Sequence, residues 1–294
     1  MYTYPEIRLQ NKQDAFSAMF MFLSRSILAL CGERKGEGII REAVRRAGRE
    51  SGMAQLKKLR TAGIPTNLHN LFNTGLDYLD DPRVRCNVLF DQEDRQIWEV
   101  YTCPLANFWN KYSESKIGSL YCEEYQYARL LAFTEDKGQL NLSKILTSPC
   151  DTFCRFSMYF REANVSSERG AESFTHGEVD LAQLPNTNFD DGATGMTLSI
   201  YFHLLEVATE REGPEGTCAV AEGLKKWAVQ AIEAMQSQAA RTLKLFNADF
   251  VELNFPLPLN LTANIETKFT AWTGYEALEL LEKLVLQPLK AVLL

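Results

Sequence analysis

The chain has 294 residues, 46% of them hydrophobic and 23% charged, and carries a formal net charge of −7. That balance supports a substantial buried core and excludes a wholly disordered chain. It also speaks against a nucleic-acid binder, because the one dense basic stretch, Arg41 to Arg60, places Glu42 and Glu50 four residues either side of Arg46, as a solvated helix face does.

The first element is an amphipathic helix, with Phe16, Met19, Phe20, Leu23, Ile27 and Leu30 at helical spacing. Its apolar stretch, Ala15 to Cys31, is interrupted by Ser24, Arg25 and Ser26 and is expected to be too short to cross a bilayer. Leu28 to Cys31 faintly resembles a lipoprotein cleavage site, but Leu30 is large where a small residue is needed. The reading is a mature cytoplasmic chain with no membrane partner, in which the sequons at Asn141, Asn164 and Asn260 are chance. Gly32 to Gly38 reads as a tight connection into a second helix, which runs to about Arg60 before Gly63 and Pro65.

A β-rich stretch follows: a strand over Val84 to Phe90, a turn at Asp91 to Asp94 and a returning strand over Gln96 to Cys103. A helix is expected over Lys116 to Phe133, then strands over Leu140 to Leu146 and Thr152 to Phe160. Residues 161–195 are polar and read as a long loop or linker. Helices over Met196 to Glu210 and Glu215 to Phe246, a strand at Asp249 to Leu253 and a closing helix over Tyr275 to Leu286 complete the chain. The fold class is α+β: a four-stranded antiparallel sheet with packed helices, then a mainly helical C-terminal region. The expected domains are 1–162 and 196–294, joined by 163–195. A helix, a Gly/Glu turn and a longer helix occur near Gly36 and again near Gly216, either as a degenerate duplication or as two ordinary helical hairpins.

The seven cysteines are odd in number, which argues against a disulfide framework, and Cys150 with Cys154 lacks the second pair of a structural zinc site. On a wheel of about 100° per residue, Ile117, Leu120, Tyr121, Tyr125 and Ala128 gather on one face of the Lys116–Phe133 helix. Glu124 sits within that face, whereas Glu123 and Gln126 fall on the other side. A carboxylate in an apolar face must be protonated, hydrogen-bonded or turned into a cavity, so Glu124 is a candidate for general acid–base work or else a structural side chain. Cys122, at the margin of the face, is either core filling or a nucleophile. Strand alternation points Cys154 toward the core, and Cys103 lies at a strand end where side chains rim pockets; packing is the simpler reading of both.

A metal-dependent enzyme is a further alternative. His176, Glu178 and Asp180 alternate, and His203 stands one helical turn before Glu206. No dinucleotide, P-loop or nucleophile-elbow motif is present, and no cofactor is expected.

Cys103-Pro104-Leu105-Ala106, Ile117-Gly118-Ser119-Leu120-Tyr121-Cys122-Glu123-Glu124, Asn141 to Leu146 and Cys154-Arg155-Phe156 occur in a familiar order. Over about residues 15–160 the chain resembles the L-2-amino-thiazoline-4-carboxylic acid hydrolase family. The resemblance implies a hydrolase that opens a cyclic C=N compound, yielding N-carbamoyl-L-cysteine in the namesake reaction. It implies attack on the amidine-like carbon by a cysteine or by an activated water, with Cys122 the candidate nucleophile, Glu124 the candidate proton shuttle, and Cys103, Cys154, Tyr121 and Tyr125 lining the substrate pocket. The chain departs from the family pattern at Gln126 and at Ser148 to Asp151, and by its helical C-terminal extension. That extension is expected to cover the pocket or to supply a homodimer surface. The order of elements also resembles the vinyl-reductase-type domains, which would make the chain a small-molecule-binding or sensory module without catalysis.

Overall fold

The computed structural model describes residues 2–73, 81–174, 189–261 and 275–293. In chain order the elements are α1 (Tyr4–Cys31), α2 (Glu33–Ala62), α3 (Leu68–Asn73), β1 (Arg85–Asp91), β2 (Arg95–Thr102), α4 (Pro104–Lys111) and α5 (Ser115–Phe133). They continue with β3 (Gln139–Lys144), β4 (Cys154–Tyr159), α6 (Ser167–Ser173), α7 (Phe189–Glu212), α8 (Pro214–Arg241), α9 (Ala248–Asn254), α10 (Tyr275–Leu281) and α11 (Gln287–Lys290). A π-helical turn, Glu282–Leu286, joins the last two. The chain falls into two compact units, residues 1–43 with 190–294, and residues 44–189.

In the first unit, α1 begins on a capping box: the Thr3 side chain accepts from the Glu6 amide while the Glu6 carboxylate accepts from the Thr3 amide at 2.6 Å. The helix is 28 residues long, so it is not too short to span a bilayer, and its most apolar window has a mean hydropathy of 1.4. That window is 61% buried inside the protein, and Met19, Phe20, Leu23 and Ile27 are wholly buried, as in a core helix. α8 packs along it, and Gly223 permits the approach, since a Cβ there would lie 2.7 Å from the Leu23 Cα.

The expected connection at 32–38 shrinks to one residue. Gly32, at φ +82°, makes the turn alone, and α2 starts at Glu33 with Gly36 and Gly38 already helical. The link between α7 and α8 is likewise a single glycine, Gly213 at φ +57°. The strand expected at Asp249 to Leu253 is helix α9. Its start is fixed by Asn247, whose side chain accepts from the Phe250 amide at 2.9 Å; this cap outweighs the strand preference of Phe250 and Val251.

The second unit holds the antiparallel sheet in the order β1-β2-β4-β3. Cross-strand partners Trp98 with Phe156 and Val100 with Cys154 share one face. Leu59, Leu68, Leu71, Phe133, Met158 and Phe160 form the core of this unit. α2 lies against α5 through Gly48 and Gly52: a Cβ at Gly48 would meet the Tyr125 carbonyl oxygen at 2.5 Å, and one at Gly52 would meet that of Arg129. The polar stretch after 160 is not all loop. α6 is capped by Ser166 and pinned by Arg169, which donates to the Phe133 carbonyl at 3.1 Å and to Ser173 at 2.7 Å.

Candidate active site

Within the second unit a cavity lies between the sheet, the start of α4 and helix α5. It offers about 60 Å³ to the centres of water-sized molecules, ample for more than one water. β2 and β4 contribute Trp98, Val100, Cys154 and Phe156, which alternation puts on one face. Pro104 sets the first turn of α4 just after Thr102 ends β2, so Cys103, Leu105 and Ala106 reach the same space. α5 supplies Tyr121, Cys122, Tyr125 and Gln126. The Tyr121 and Tyr125 rings are stacked, 5.1 Å between centroids and 12° between planes, and Trp109 abuts Tyr121 at 5.6 Å.

Five of the six site residues that the family resemblance implies therefore meet at this cavity: Cys103, Cys122, Cys154, Tyr121 and Tyr125. The three thiols differ in surroundings. Burial pushes Cys122 well above its ordinary value, and the Cys103 and Cys154 sulfurs and Glu123 push in the same direction. Burial also raises Cys154, to about 12, although its sulfur accepts from the Leu146 amide at 3.2 Å. Cys103 is raised by burial too, but the amides of Ala106 and Leu105 at the start of α4 pull it back. No side-chain cap hydrogen bond to that sulfur is formed at the start of α4.

Glu124 does not line the cavity. Its carboxylate, 10% exposed, receives Nε of Arg45 at 2.6 Å and Nη2 at 2.9 Å, so it faces α2. Gln126, expected on the far side of the helix, is buried and lines the cavity. The wheel assumed one buried face, whereas α5 is buried on two, against α2 and against the sheet. The helix-internal Gly48-x-x-x-Gly52 spacing in α2 was the unread signal of the second one. The remaining lining residues, Val84, Trp98, Val100, Leu105, Ala106 and Phe156, were not singled out. Alternation from Cys154 along β4 reaches Phe156, and their partners on β2 are Val100 and Trp98.

His176, Glu178 and Asp180 lie outside the described residues. His203 belongs to the other unit, where its Nδ1 meets Glu206 at 3.1 Å. Among the described residues no group of three or more His, Cys, Asp or Glu side chains is placed to hold a metal ion.

Residues 8–157, just over half of the chain, match the family model described as L-2-amino-thiazoline-4-carboxylic acid hydrolase. No curated protein and no solved structure matches the chain. The matched span contains every residue that lines the cavity. The chain belongs to the L-2-amino-thiazoline-4-carboxylic acid hydrolase family.

Proposed function

We propose that the cavity is a hydrolytic site for a small cyclic C=N compound and that Cys103 is its nucleophile. The observation that carries this reading is the convergence of three thiols on one apolar cavity within the span that defines the family. Cys103 is preferred to Cys122 because it sits at the N-cap of α4 beside the Leu105 and Ala106 amides, which oppose the rise that burial imposes on its thiol, whereas burial, the other two sulfurs and Glu123 all raise Cys122.

The chemistry suits neutral partners in a medium that solvates charge poorly. The Cys103 sulfur attacks the carbon of the ring C=N bond and its proton passes to the ring nitrogen, so the site stays uncharged overall. The tetrahedral carbon then expels the ring sulfur as a thiol, which opens the ring and leaves an isothiourea on Cys103. Water adds to that carbon, the Cys103–carbon bond breaks, the thiol recovers its proton and a urea leaves. The sum is one ring opened and one water consumed. Glu124, held by Arg45, positions α5 in this reading and carries no proton.

The test is mass spectrometry of the protein mixed with 2-amino-thiazolines with and without a 4-carboxylate. A product heavier by one water, lost in Cys103→Ser and retained in Cys122→Ser, supports the assignment. Retained turnover in Cys103→Ser overturns it.

A second reading, a binding module without catalysis, is favoured because, among the described residues, no carboxylate or imidazole lines the cavity. It expects a retained ligand and no turnover. All seven cysteines are free thiols, which fits a reducing cytoplasmic location, the place we propose for the protein.

A further inference from the structure

Three thiols reach one cavity from three separate elements: Cys103 at the N-cap of α4, Cys122 on α5 and Cys154 at the start of β4. The hydrolytic reading employs one of them. Sulfurs gathered in this way suit a soft ligand that bonds to more than one. Two facts decide its kind. Among the described residues no group of three or more His, Cys, Asp or Glu side chains is placed to hold a metal ion, so a ligand bonded to these thiols takes two sulfurs and brings its other substituent with it. The surroundings of all three, burial first, also hold the thiols protonated. A soft cation such as copper(I) must displace a proton from each sulfur it binds, and two thiolates on one such ion leave a net negative charge inside the protein.

A trivalent arsenical with one organic group, R–As(OH)2, meets both conditions. Each As–OH bond breaks as an As–S bond forms, and the thiol proton leaves with the hydroxyl group as water. R–As(OH)2 and two cysteine thiols give R–As(S–Cys)2 and two waters. Arsenic stays trivalent, nothing is oxidised or reduced, and reactants and products are uncharged, so no charge is buried. The organic group has aromatic walls to lie on: the stacked rings of Tyr121 and Tyr125, and on the sheet the edge-on pair Trp98 and Phe156, 5.7 Å apart. The space, about 60 Å³ for the centres of water-sized molecules, is several times what one water takes.

The pair of donors follows from the elements that carry them. α4 packs on α5, where Trp109 meets Tyr121 at 5.6 Å, and this contact brings the N-cap residue Cys103 toward Cys122. Of the other two sulfurs, that of Cys103 acts the more strongly on Cys122. Cys154 is tethered elsewhere, its sulfur accepting from the Leu146 amide at 3.2 Å. We propose that this cavity is a two-thiol capture site for uncharged trivalent organoarsenicals, with Cys103 and Cys122 as the two sulfur donors. Capture needs no turnover, so it stands or falls apart from the hydrolytic reading.

The experiment treats the full chain with phenylarsine oxide, which is the phenyl member of R–As(OH)2 in water, and then adds excess glutathione. A single As–S bond at an exposed cysteine, Cys86, Cys150 or Cys218, exchanges with that monothiol, whereas a two-sulfur chelate holds. Thiols still free are blocked, the arsenic is stripped with 2,3-dimercaptopropanol, and the cysteines that reappear are mapped by mass spectrometry. The expected result is one arsenic retained per chain, with Cys103 and Cys122 reappearing together. Cys103→Ser and Cys122→Ser are each expected to weaken retention about a hundredfold, for the loss of the held second donor. Cys154→Ser is expected to keep it, the serine hydroxyl accepting from the same amide. Should a serine variant fail to fold, the mapping of the unmodified chain decides alone. Loss of all arsenic to glutathione overturns the inference, and so does the reappearance of any other pair. Capture by a chain that hydrolyses no 2-amino-thiazoline still supports it, while hydrolysis without capture overturns it alone.

Discussion

Arg45 and Glu124 form a two-pronged ion pair, Nε to Oε2 at 2.6 Å and Nη2 to Oε1 at 2.9 Å, that ties α2 to α5 within the second unit. The carboxylate is 10% exposed and the guanidinium 46% exposed. The carboxylate thus depends on its partner more than the guanidinium does, and the two single deletions will not cost the same.

Arg45→Met leaves a nearly buried carboxylate with its strongest donors gone, and is expected to destabilise the fold by about 1–2 kcal/mol, a value discounted for the exposed arginine. Glu124→Gln is expected to cost less and to leave turnover within about twofold, since 1.4 kcal/mol or more would be needed for a tenfold change. Urea denaturation alongside product formation separates the two effects. An unchanged denaturation curve with turnover abolished in Glu124→Gln would return that residue to acid–base work.

Gly48→Ala tests the close packing of α2 on α5. Alanine is the better helix former, by about 1 kcal/mol. Its methyl, however, meets the Tyr125 carbonyl oxygen at 2.5 Å, and backbone cannot swing aside. The expected net result is a loss of about 1–3 kcal/mol, read as a lower thermal midpoint. A midpoint that rises would show that the helices are not in this contact.

Cys154 gives the protein a stability limit on the alkaline side. Its thiol is held protonated in the fold, at about 12, against an ordinary 9.0 once unfolded. The folded state therefore binds this proton more tightly than the unfolded one. The contribution is complete below about pH 9 and declines as the pH climbs from there toward 12. Cys103 and Cys122 are raised for the same main reason and add to the decline. Denaturation midpoints measured across that range should fall for the native chain and fall less steeply for Cys154→Ala.

Alkylation ranks Cys103 against Cys122. Cys103, whose rise is opposed by the Ala106 and Leu105 amides, is expected to react with iodoacetamide ahead of Cys122 as the pH is raised, because Cys122 is raised with nothing opposing it. Peptide mapping of a time course reads the order directly. Earlier labelling of Cys122 would move the nucleophile back to α5.

Much of this fold is written in local pattern. The strands, their alternation and the antiparallel order follow from apolar periodicity and from the Asp91 to Asp94 turn, and the four-stranded sheet is present as expected. Five cavity residues were readable because cysteines and tyrosines stand out by type. Gln126 and Glu124 traded places because a helical wheel cannot say how many partners a helix has. Asp249 to Leu253 misled for a related reason: its side chains favour a strand, and a single capping side chain, Asn247, decides for a helix. The turn at Gly32 was read too long because glycine marks both bends and close helix contacts, and only packing tells Gly32 from Gly36.

The burial of α1 has a practical consequence. The family match ends at residue 157, yet the unit that covers α1 draws on residues 190–294. A fragment cut to the matched span would carry Met19, Phe20, Leu23 and Ile27 into water with α8 gone. Such a fragment would behave as a detergent-seeking or aggregating peptide and would be misjudged as a membrane protein. The C-terminal helices complete the core around α1, and expression trials should keep them.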